Sequence, residues 1–124
     1  MEIEVSNGDL VDKITILQIK LRKIESDEKR ANIQKEFDLL HQKMAAIGVT
    51  EESETYQRLL TINQRLWEIE DQIRIKESKK EFDSKFIELA RSVYFENDKR
   101  AAIKREINLQ TGSQLIEEKE YVQY

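Results

Sequence analysis

An all-α antiparallel bundle of about four long helices, joined by short connections, is the fold this sequence predicts. Three observations predict it. The 124-residue chain has no proline, and its three glycines stand at 8, 48 and 112, leaving long stretches with no helix breaker. Between those glycines apolar residues recur at spacings of four and three, the seam of a helix that buries one stripe. Charged residues make up 37% of the chain, against about 25% in an ordinary globular domain, and hydrophobic residues 39%, the balance of helices with wide solvated faces. The length fits one domain. It comprises an N-terminal arm over residues 1–7, the helices, and a C-terminal segment over 113–124 with one or two helical turns at most.

The elements follow in order. Ser6 is an N-cap with Asp9 three residues on, a pairing that resembles a capping box. The first helix then carries Leu10, Ile14, Leu17, Leu21 and Ile24 on one seam, with Ile16 and Ile19 off it. A helix apolar on two sides is either central in its bundle or meets another chain. Ser26 or Asp27 caps the second helix, whose seam is Ile33, Phe37, Leu40, Met44 and Ile47, and Gly48 stops it. Thr50 is the expected cap of the third helix, with Glu51 and Glu52 complementing its dipole. The stripe of that helix is Leu59, Ile62, Leu66, Ile69 and Ile73, flanked by Tyr56 and Trp67. The charged run Glu77 to Glu81 loses the period and is expected to turn. Asp83 caps the fourth helix, with Phe82 and Ile87 spaced for a hydrophobic staple, and Gly112 ends it.

Composition removes several classes of function. Twenty-five acidic residues against 21 basic ones give a net charge of -4, so no global field draws the chain to nucleic acid or an anionic membrane. The absence of cysteine removes disulfides, thiolate nucleophiles and cysteine metal sites. No apolar run approaches the roughly 20 residues a membrane span needs, and Met1 to Asp9 has neither a basic nor an apolar leader region. A soluble cytoplasmic protein is expected. Two acidic pairs, Glu51 with Glu54 and Glu68 with Asp71, resemble the E-x-x-E and E-x-x-D pairs of all-helical nucleotide pyrophosphatases. On one helix they would lie about 21 Å apart, too far to share an ion. His41 is the only histidine, too few for a di-iron centre and without a nucleophile turn to serve. Neither a metal nor a cofactor is expected, and isolated glycines make no phosphate loop.

The fourth helix carries the chemistry worth weighing. Its apolar stripe gives way half-way to Asn97, Arg100, Lys104 and Asn108, all on one face. With Arg91 further back, and Trp67, Glu70 and Arg74 opposite on the third helix, this face has the residues to grip a phosphate or carboxylate through an arginine fork. The plainer reading pairs the basic residues with Glu68, Glu70 and Asp71. Glu88, Glu96, Asp98 and Glu106 on the same helix break any single-sign stripe for nucleic acid. Asn63 and Asn97 sit where polar residues specify register through a buried network. Trp67, Tyr94 and Phe95, at helical spacing, read as core before they read as a ligand pocket.

Several strings resemble a family of small bacterial proteins known only as a domain of unknown function. They are Gly8 to Lys13 (GDLVDK) with Ile19 and Lys20, Asn63 to Arg74 (NQRLWEIEDQIR) and Phe86 to Asn108 (FIELARSVYFENDKRAAIKREIN). The ending with Gly112, Ser113, Glu117, Glu118, Lys119, Tyr121 and Tyr124 joins them. The resemblance covers nearly the whole chain and is weakest between residues 27 and 58. It implies a small helical fold and carries over no catalytic residue, because the family has no assigned reaction. The expectation from residues and resemblance together is a non-enzymatic interaction or scaffold module acting as a homo-oligomer, or holding another protein. Its contact surface would be Ile16, Ile19, Tyr121 and Tyr124. The alternative is a small-anion site, binding or catalytic, on the basic face of the fourth helix.

Overall fold

A computed structural model describes residues 3–118, 120 and 122–124. The chain forms α1 (Asn7–Lys23), α2 (Asp27–Ala46), α3 (Glu54–Ser78) and α4 (Ser84–Thr111), with no strand among the described residues. The all-α prediction holds.

Local chemistry sets most of the boundaries. The hydroxyls of Ser6 and Ser26 accept from the Asp9 and Lys29 amides, and the Asp83 carboxylate accepts from the Phe86 amide at 2.9 Å. Gly48 and Gly112 take positive φ angles of 82° and 66° and end α2 and α4. Three local expectations are corrected. Ser53, not Thr50, caps α3: the Ser53 hydroxyl is held by the Thr50 amide at 2.9 Å, which closes a tight turn and keeps Glu51 and Glu52 outside the helix. The turn after α3 begins two residues later than expected, because Lys80 takes the left-handed conformation at φ 56°. The Lys80 and Glu81 amides then satisfy the carbonyls of Glu77 and Lys76. Phe82 does not staple onto Ile87. It meets the edge of Phe86 at a centroid distance of 5.2 Å, and Phe82 and Ile87 stay 55% and 56% exposed. The described part of 113–124 holds no helical turn.

Of the two explanations for the two-sided first helix, the central position is realised. α1 packs against α2, α3 and α4, whereas α2 packs along α1 alone and α3 lies along α4. The core gathers Val11, Ile14 and Ile19 of α1 with Met44, Tyr56, Leu59, Leu66 and Ile107. Ile19 is only 1% exposed, packed within the chain. α1 is short, about 26 Å for 17 residues, against about 42 Å for the 28 residues of α4. It covers part of the α3–α4 pair and leaves the rest.

Candidate functional site

One stripe of α4 organises the site. Phe86, Ala90, Val93, Asn97, Arg100, Lys104 and Asn108 follow at spacings of four and three, so they share a face. The last three are met by α1. The Asn108 side chain, 1% exposed, accepts from the Gly8 amide at 2.6 Å. Only glycine fits there, because a Cβ at residue 8 would stand 2.4 Å from the Lys104 carbonyl oxygen. The Lys104 ammonium lies 2.8 Å from Asp9 and 3.1 Å from Glu117 of the C-terminal segment. Burial works to lower its pKa, and the two carboxylates overcome that and raise it. Asp9 mirrors this: burial pushes its carboxyl up, and Lys104 brings it below the ordinary value.

Arg100 is the centre of the network. Its Nε donates to Asp12 Oδ1 at 2.9 Å and its Nη2 to Asp12 Oδ2, a two-toothed pairing that raises the guanidinium pKa against the burial that lowers it. Asn63 Nδ2 donates to the same Asp12 oxygen at 2.9 Å and to Thr15 Oγ1 at 2.8 Å. The Thr15 hydroxyl donates to the Asp12 carbonyl at 2.7 Å. A buried carboxylate is tolerated when its lone pairs are filled in this way.

Beside this network lies a small cleft of about 230 Å³. Ile16, Ile19, Leu66 and Trp67 give it apolar walls, and Asn63, Glu70, Asn97 and Arg100 a polar side. Four of the residues read from sequence as a ligand face, Trp67, Glu70, Asn97 and Arg100, therefore come together here. Lys104 points to Asp9 and Glu117 instead. Arg91 is exposed and its Nε reaches the Tyr94 hydroxyl at 3.4 Å, and Arg74 is exposed outside the cleft. Ile16 is half-buried on the cleft wall. Tyr124 packs on Phe95 and Tyr94 at centroid distances of 4.6 and 5.1 Å, and its hydroxyl donates to Asp98, which lifts its pKa to about 12. Tyr121 lies outside the described residues.

The acids that matter here, Asp9, Asp12 and Glu117, were not read from sequence as partners of this basic face. Asp12 had left a signal: an acid between Val11 and Ile14 on a helix otherwise apolar on that side needs a cation. Chemically, the network holds helices together. Both oxygens of Asp12 are occupied, and the fork of Arg100 is spent on them. Glu51 sits 3.3 Å from His41 in the turn before α3. Among the described residues no cluster of His, Asp and Glu is arranged to hold a metal ion, and no helix is long and apolar enough to cross a membrane.

The other half of the stripe differs. Phe86, Ala90 and Val93 are apolar and only half-buried, and α2 does not pack on α4. Over residues 67–99, the distal hairpin of α3 and α4, Leu89 is the one buried residue.

Compared with known families, residues 1–123 match the model of a family of unknown function, DUF6165, and the chain belongs to that family. Neither a search of curated proteins nor one of solved structures returns a match.

Proposed function

We propose that this member of the DUF6165 family is a helical interaction module that carries no reaction of its own and meets its partner through the distal hairpin. One observation carries the reading. The apolar half of the α4 stripe, Phe86, Ala90 and Val93, is only half-buried, and so are Ile69 and Ile73 of α3. Two helices can cover only one stripe on each other. A hairpin with apolar residues on a second face is completed by a third helix or by another chain.

Support also comes from the basic residues. Arg100 is matched by Asp12, and Lys104 by Asp9 and Glu117. An anion gripped by this face would have to displace a carboxylate from each, so the interaction reading is preferred to the small-anion one.

A photo-crosslinking side chain tests it in cells producing the full chain. At position 86 it should give protein adducts of defined mass. At position 39, where Leu39 is 57% exposed on α2, it should not. Equal labelling from both positions, or none from position 86, would sink the reading.

A further inference from the structure

We infer that the occupant of the distal hairpin is a second copy of the same chain, turned end to end, so that two hairpins close into one four-helix bundle. This rests on the interaction reading above and names its partner.

The apolar groove fixes where the contact lies. Phe86, Ala90 and Val93 continue the face that α1 covers further along α4, so a helix laid there extends an existing packing surface. A hairpin that offers two half-covered helices is completed by another hairpin of the same kind, as in antiparallel four-helix bundles.

Charge fixes the orientation. At the base of the hairpin stand Glu68, Glu70 and Asp71; toward its tip stand Arg74, Lys79 and Arg91. Of the other charges of the hairpin, Lys76 is 2.9 Å from Asp83, Lys80 3.9 Å from Glu77, Lys85 3.8 Å from Glu88 and Lys99 3.4 Å from Glu96, while Asp98, at the base, accepts from the Tyr124 hydroxyl. Among the described residues none of those six has an opposite charge within 4.0 Å. The unmatched charge is therefore negative at the base and positive toward the tip. In a two-fold contact the same patch faces itself, so residue i meets j and j meets i. A patch with one sign at each end is complementary to its own copy only when the copies run antiparallel. A parallel pairing would set like charges together, which costs affinity.

The same orientation occupies the cleft. When the hairpins overlap along their length, the tip of one, with exposed Phe82, reaches the base of the other, where Ile16, Trp67 and Leu66 give the cleft its apolar walls. Glu70 on the rim then faces the incoming positive tip.

Sedimentation equilibrium of the purified full chain, over a range of concentrations and at low salt, tests this. The wild-type chain should be a dimer, and Ala90→Glu a monomer of unchanged helix content. Glu70→Arg and Lys79→Glu, the pair that this register sets opposite each other, should each raise the dimer dissociation constant about tenfold or more, as like charges meet. Glu70→Arg combined with Lys79→Glu should recover most of the affinity, because the exchange restores opposite signs across an antiparallel pair. A wild-type monomer at every concentration would overturn the inference. The interaction reading would then stand or fall on the crosslinks, whose adducts would have to contain a different protein. A dimer indifferent to Ala90→Glu would move the contact off the hairpin. A double variant as weak as the single ones would overturn the end-to-end orientation.

Discussion

Between Arg100 and Asn108 the inner stripe of α4 is polar and clasped by α1; between Phe86 and Val93 it is apolar and only half-buried. Hydrophobic burial alone would give the opposite arrangement. The difference teaches what each half is for. The polar half orients α1. A hydrogen bond from Gly8, an ion pair from Asp9 and a forked ion pair from Asp12 hold it at successive turns of α4, so that the apolar residues beside them pack in one register. Directional bonds of this kind give specificity more reliably than net stability. The apolar half has no such partner within the chain and retains its driving force for another contact.

Removing one side of the polar clamp is the hardest test of that contrast. Arg100→Ala strands the buried Asp12 carboxylate and should cost about 3–5 kcal/mol in urea unfolding, while Asp12→Leu with Arg100→Met should recover most of it. A cost near zero for the single change would mean that the polar half does not hold α1. Gly8→Ala comes next. Its Cβ would meet the Lys104 carbonyl oxygen, a backbone atom, at 2.4 Å, and about 1–3 kcal/mol should be lost as α1 lifts from α4. Unchanged stability would show that the two helices have room to spare. A third change bears on the distal half alone. Lys80 holds a left-handed φ of 56°, so Lys80→Gly should add about 1 kcal/mol, read as a higher melting temperature.

The smallest effect is acid dependence at the clamp. The Asp9 carboxyl lies below its ordinary value of 3.8. Its contribution is present above that ordinary value and is lost as pH falls through the lower folded one. Lys104, raised above 10.5, loses its share only as pH rises past that range. Asp9→Asn should therefore lessen the drop in stability between pH 5 and 3 by less than about 1 kcal/mol, the scale of a partly exposed pair. An unaltered acid limb would assign that drop to other carboxylates.

Much of this was legible in the chain because its causes are local. Ser6, Ser26, Asp83, Gly48 and Gly112 act within one turn of where they stand, and each marks a helix end. Thr50 and Ser53 are both good caps three residues apart, so sequence could not rank them; the hydrogen bond between them does. The break in the α4 stripe was visible, and so was the choice between an anion site and internal pairing. Its partner was not. Glu68, Glu70 and Asp71 on α3 looked as suitable for Arg100 as Asp12, which is 88 residues away on α1. Spacing along a helix says which residues share a face, and nothing about which other helix that face meets.

The pairing of Gly8 with Asn108 spans 100 residues, and that of Asn7 with Ser113 spans 106. Helical bundles mostly fold quickly because their contacts are near in sequence, and closing long loops slows the search. On the ribosome α1 is made before the α4 residues that clasp it. It must keep its apolar sides and an unmatched Asp12 in solution, or shelter them against α2, until α4 emerges. Partial products ending before residue 100 lack the counter-charge for Asp12.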